Sequence, residues 1–179
     1  LAFDGSYKDT MWKYLRKTSK EMDAAGTPVH FTFFLNPVYV LDRAHNKAAD
    51  GTPLYQPPGY HVTFDKAGNK QTVKNVGSAI GWGDNQSDIS QRLDNMTGAY
   101  NEGHEMGSHA VGHWDGSAWS AADWNYELTK FFSFMRNVFA IEKIVPSAQN
   151  AKGLPFVNNK SIVGFRAPQL GISDGLYQE

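Results

Sequence analysis

Strands that alternate with helices along the chain predict an α/β fold, either a barrel or a layered parallel sheet. Two observations carry that expectation. Short aromatic and β-branched runs lie at 29–35 and 161–165, and between them apolar residues return every three or four positions over longer stretches.

The opening residues Leu1 to Ser6 read as the end of a buried strand running into a turn, with Asp4 at its C-terminal tip. Met11, Trp12, Leu15 and Met22 then mark one face of a helix from about Lys8 to Ala25, stopped by Gly26 with Pro28 just beyond. Val29 to Leu35 reads as a second buried strand ending at Asn36-Pro37, so that strand, helix and strand make one right-handed βαβ unit. From Arg43 to Asn85 the rhythm breaks. Asp50-Gly51, Pro57-Pro58-Gly59 and Gly68-Asn69 are turn signals without a sustained helical period, so a long loop insertion is expected over about 43–85. Ser87 is expected to cap a helix whose inner face is Ile89, Leu93, Met96 and Tyr100 and which ends near Gly103. Ser120 is expected to begin another, carrying Trp124, Leu128, Phe131, Phe132, Met135 and Val138. Residues 146–159 read as loop, and Ser161 to Phe165 as a further strand running into Arg166-Ala167-Pro168.

Composition removes several classes of function. With 17 basic and 18 acidic residues the net charge is −1, which leaves no electrostatic footprint for nucleic acid or an anionic membrane. An uncharged polymer such as a sugar chain stays open. The 179 residues are expected to form a single domain, 1–179, with enough chain to bury a core without staples. Having no cysteine, the chain must hold any transition metal through His and carboxylate. No apolar stretch is long enough for a membrane span, and the start at Leu1 shows no basic or apolar leader, so any targeting segment is expected to lie outside it.

The stretch from Gly103 to Gly116 holds three of the six histidines within ten positions. His109 and His113 are four apart, which on a helical turn puts both imidazoles on one face at a spacing that suits a shared divalent ion; a strand tip followed by a turn is the other reading. Asp4 is either a turn former or a carboxylate at a strand end, where catalytic groups of α/β barrels collect. One Asp and two His with open positions form a ligand set typical of hydrolytic zinc. Arg166 is either a surface residue before a proline turn or a guanidinium that orients a carboxylate.

These residues resemble a known family. His104-Glu105-Met106-Gly107-Ser108-His109-Ala110-Val111-Gly112-His113 is similar to the second motif of the polysaccharide deacetylases, carbohydrate esterase family 4, roughly GHE(I/M)G(N/S)HTxxH. Ala2-Phe3-Asp4-Gly5-Ser6 resembles the first motif, TFDDGP; Thr32-Phe33-Phe34 resembles the second-strand TFF; Phe165-Arg166-Ala167-Pro168 resembles the third motif, FRxPY. All four stand in the family order. The resemblance implies a distorted (β/α) barrel that binds a divalent metal, zinc first among candidates, and removes acetyl groups from an N-acetylated polysaccharide such as peptidoglycan or chitin. It also implies a location outside the cytoplasm. His109 and His113 match metal ligands, and Arg166 matches the arginine that orients the catalytic base. Trp114, directly after His113, and Trp82, in a Gly-Trp-Gly loop, are the expected sugar-stacking residues, Trp82 as an exposed platform. Trp124 is expected in a helix core, and His104-Glu105 in the strand leading to the site. His30, His45 and His61 are given no role.

Three departures accompany the resemblance. The family's first motif has two aspartates, base then ligand, where this chain has only Asp4. Aligned on the glycine, Asp4 is a metal ligand and Phe3 takes the base's place; aligned on the phenylalanine, Asp4 is the base and Gly5 takes the ligand's place. The ligand role is preferred, since two histidines without a carboxylate bind metal weakly. Gln169 stands for the usual tyrosine of the third motif, and the late acidic-aromatic and leucine-histidine motifs do not follow it. The chain is therefore expected to cover the front two thirds of a barrel. Loss of the paired aspartate motivates a second expectation, a catalytically silent carbohydrate-binding relative that keeps fold and metal.

Overall fold

The computed structural model describes residues 1–5, 7–158 and 160–178. Its centre is a three-stranded parallel sheet in which β2 (Thr32–Leu35) lies between β1 (Ala2–Gly5) and β5 (Glu105–Ser108). Register places Phe3 beside Phe33 and Met106, and Asp4 beside Phe34 and Gly107. Because successive side chains point to opposite faces, these two rows line opposite sides of the sheet. The Phe33 row is core: Phe33 and Met106 are fully buried, and Trp12 stacks on Phe33 with ring centroids 4.3 Å apart. The Asp4 row faces the site. Gly107 is required there, because a Cβ would lie 2.7 Å from the Phe34 ring.

Trp12 and Leu15 anchor α1 (Asp9–Ala24) to the sheet, whereas Met22, expected on the same face, is exposed. Helix α2 (Gln86–Asn101) buries Ile89, Leu93 and Met96 as expected. Its cap is Asn85 rather than Ser87: the Asn85 side chain accepts from Asp88 N–H at 3.0 Å, which places Ser87 inside the first turn. Helix α3 (Ala121–Glu142) starts at Ser120 as expected, through a reciprocal capping box with Asp123. Trp124, Phe131, Met135 and Val138 face the core, but so do Glu127 and Phe134, which displace Leu128 and Phe132 toward the rim.

Three segments differ from expectation. The second strand begins at Thr32, three residues later than the run that predicts it. Residues 161–165 contribute one parallel bridge, Ser108 to Phe165, and not a strand. Here Ser161 and Ile162 are held in a turn by the Asn158 carbonyl, so only the tail of the run reaches the sheet. The insertion is more ordered than a loop: β3 (Tyr60–Phe64) and β4 (Lys70–Lys74) pair as an antiparallel hairpin. Asp65 closes it by accepting from the backbone N–H groups of Ala67 and Asn69, both at 2.9 Å. His45 ties the start of the insertion to the end of α3 through Glu142, at 2.8 Å. The described residues form an open sheet with three α-helices and no closed barrel, and no helix among them is long and apolar enough to cross a membrane.

Candidate active site

The C-terminal ends of β1, β2 and β5, with the bridge at Phe165, bring Asp4, Asn36, His109 and Arg166 to one edge of the sheet. Arg166 Nη1 donates to Asp4 Oδ1 at 2.6 Å, and its guanidinium lies over the Phe34 ring at 4.5 Å. The carbonyl of Arg166 accepts from His109 Nδ1 at 2.6 Å. Since a carbonyl can only accept, that nitrogen carries the proton and Nε2 of His109 is a bare lone pair. It is buried without a hydrogen-bond partner, 4.0 Å from Asp4 Oδ2. His113 stands beside it, the two rings edge to face with centroids 4.7 Å apart. Burial holds both imidazoles below the usual histidine range; at His109 the bond to the Arg166 carbonyl opposes that shift.

The segment carrying the histidines is fixed from several sides. His109 N–H donates to the Leu35 carbonyl at 2.9 Å, and Asn36 Nδ2 donates to the His109 carbonyl at 2.5 Å. Val111 N–H donates to Glu127 Oε2 at 2.9 Å, Ala79 N–H to the Gly112 carbonyl at 2.9 Å, and Gln169 Nε2 to the His113 carbonyl at 3.2 Å. These bonds hold Ala110 at φ 54° and His113 at φ 60°, conformations that non-glycine residues adopt only when their surroundings impose them. Glu127 is fully buried, its second oxygen accepting from Tyr55 OH at 2.6 Å, and burial raises its carboxyl to about 7.

Position 5 bears on the role of Asp4. Phe3 packs with Phe31 and Phe33 on the core side of β1, so it cannot stand where a catalytic base would. Gly5 has φ 71°, and a Cβ there would meet the Tyr39 ring at 2.9 Å. A side chain at position 5 would be strained by its backbone and crowded by the Tyr39 ring, so Asp4 is the one carboxylate that β1 brings to the site.

The donor types at this sheet edge are ones that suit a divalent metal. A neutral, buried imidazole nitrogen with no proton donor to satisfy it, beside a second imidazole and a carboxylate oxygen, is chemistry that a cation completes. Among the described residues, no three His, Asp or Glu side chains stand close enough together to hold an ion as they are.

Of the predicted residues, Asp4, His109, His113 and Arg166 converge. Trp114 lines the adjoining cleft, whereas Trp82 is half-buried against the core and is not the exposed platform expected. Trp124 is buried as expected, and His104 lies at the opposite end of β5, packed on Phe31 and Phe33. Sequence reasoning missed three contributors. Glu127 shares the inner face of α3 with Trp124 and Phe131, so an acid at apolar spacing was the available signal. Asn36 directly follows β2, and His61 belongs to the strict alternation of β3.

No protein-family model matches the chain, and no curated protein matches it. Among solved structures it is similar to the crystal structure of the Xyl-CE4 domain of a multidomain xylanase from the hindgut metagenome of Trinervitermes trinervoides. The identity is 16%, the TM-score 0.44, and the match covers 99% of this chain and 51% of that one, so the chain spans about half that structure's length.

Proposed function

We propose that this protein is a metal-dependent hydrolase that removes acetyl groups from an N-acetylated polysaccharide of the peptidoglycan or chitin kind, outside the cytoplasm, and that its sheet belongs to a distorted (β/α) barrel. One observation carries the reading. The residues of three motifs, separated in sequence, meet at one sheet edge in the order that the resemblance predicts, with Arg166 on Asp4 and the His109 lone pair beside them.

His109 and His113 would hold the divalent ion, zinc being the first expectation. When bound, the ion polarises the acetyl carbonyl and acidifies a water. Asp4 accepts the proton of the attacking water through the oxygen that Arg166 does not occupy, and the bond from Arg166 Nη1 to the other oxygen holds that carboxylate in place. The proton it takes is the one that the departing amine needs once the C–N bond breaks, leaving acetate and a free amino sugar. Asn36, Glu127 and Gln169 hold the histidine segment rigid, so that little reorganisation accompanies reaction. Trp114 lines the approach.

A second reading, a silent carbohydrate-binding relative, draws on Gly5, which leaves Asp4 as the single aspartate where the resembled motif has two. Acetate release from chitooligosaccharides and peptidoglycan fragments separates the two. Zinc-loaded protein that yields acetate, with His109→Ala inactive, supports the first; sugar affinity without acetate supports the second.

A further inference from the structure

A cleft of about 490 Å³ opens against Trp114, the residue after His113, within the size range of small-molecule sites. Its lining comes from the hairpin, through Tyr60, His61, Val62 and Asn75, and from Trp114 and Gln169, with the His61 and Trp114 rings in contact. The geometry points to a glycan subsite here: the inserted hairpin and the Trp114 segment together bind one neutral sugar unit, adjacent to the unit whose acetyl group reaches His113. The choice of an N-acetylated polymer rests on the function proposed above.

The walls are built to be rigid. Trp114 Nε1 donates to the Gly77 carbonyl at 3.3 Å, and the His61 ring lies 5.0 Å from the indole at an interplanar angle of 30°. Asn75 is buried, and its Nδ2 donates to the Pro58 carbonyl at 2.7 Å. Its Oδ1 therefore accepts from His61 Nδ1 at 3.1 Å, and Nε2 of His61 is left as an acceptor. Gln169, whose Nε2 is committed to the His113 carbonyl, offers Oε1 as another. The exposed Asp115 adds a carboxylate to the lining. Aromatic plates with an acceptor-rich rim complement a sugar, which presents apolar C–H faces and hydroxyl or acetamido donors. No basic residue lines the cleft and Asp115 is its one charged group, so a uronate would meet only repulsion. Continuity is direct, because Trp114 follows His113 and Gln169 touches both cleft and histidine segment.

Calorimetric titration of the zinc-loaded protein with N-acetylchitotetraose and with tetragalacturonate tests this. The neutral tetramer should bind about tenfold or more tightly than the acidic one, Trp114→Ala and His61→Ala should each weaken it by about tenfold, and Trp114→Phe should recover most of the loss. Asp115→Asn should narrow the gap between the two sugars. Circular dichroism checks that each variant is folded. Absence of N-acetylchitotetraose binding, equal affinity for tetragalacturonate, or indifference to both alanine variants overturns the subsite. Acetate is measured on the same samples: binding without acetate keeps the subsite and sinks the deacetylase reading, while acetate release unaltered by both variants keeps that reading and sinks the subsite.

Discussion

Arg166 and Asp4, 162 positions apart, are joined by a 2.6 Å bond from Nη1 to Oδ1, and the same arginine's carbonyl accepts from His109 Nδ1 at 2.6 Å. One residue thus orients the carboxylate with its side chain and sets the histidine tautomer with its backbone. The two tasks can be separated by mutation. Arg166→Ala removes the guanidinium but keeps the carbonyl, so acetate release should fall by about 10²-fold while zinc stoichiometry stays unchanged. Arg166→Lys, which keeps charge without the planar fork, should recover only part. Loss of zinc in Arg166→Ala would contradict the division.

The role of Asp4 can be tested at the same contact. If it takes the proton, Asp4→Asn should keep its zinc and lose its activity; if it is a ligand, the substitution should lower zinc affinity as well. The base reading also predicts a weakly held ion, because two histidines alone form a poor cage. Brief treatment with a chelator should therefore strip zinc and activity together, zinc should restore both, and His109→Ala should not be restored. Elemental analysis with acetate assays on each sample decides.

Much of this was legible because strand ends carry chemistry and strands are short apolar runs. Asp4 and Arg166 each follow a short apolar run, while His109 and His113 were marked by their four-residue spacing and by the motif they resemble. What was not legible depends on contacts between distant segments. Glu127 reads as one more helix residue until α3 docks on Val111, and His61 reads as a lone histidine until the hairpin folds over Trp114. The hairpin has no helical rhythm, and its signal is the period of two by which Tyr60 to Phe64 alternate between more and less exposed positions. The strand expected at 161–165 fails for the converse reason: its apolar run is suitable, but the turn at Asn158 consumes its first residues.

Gly107 tests the packing under the site. An added methyl would lie 2.7 Å from the Phe34 ring, on which Arg166 rests, and 3.1 Å from the Gly164 carbonyl, which accepts from Ser108 N–H. Gly107→Ala should cost about 1–3 kcal/mol through overpacking. In a chain of this size that lowers Tm by roughly 2 to 12 °C, measured by calorimetry. A variant as stable as the parent would mean that the sheet edge yields freely.

Glu127 makes stability depend on pH. Burial raises its carboxyl from the ordinary 4.5 to about 7, against the opposing bonds from Tyr55 and Val111. Between those values the folded protein binds more protons than the unfolded chain, so stability falls as pH rises through this window and levels off above it. The full effect is on the order of 3 kcal/mol. Glu127→Gln is neutral throughout; its carbonyl can accept from Val111 N–H and its amide can donate to the Tyr55 oxygen. The difference in Tm between Glu127→Gln and the parent should therefore shift in favour of the variant as pH is raised from 5 to 8. Parallel Tm profiles for the two proteins across that window would show that Glu127 is already ionised in the folded state.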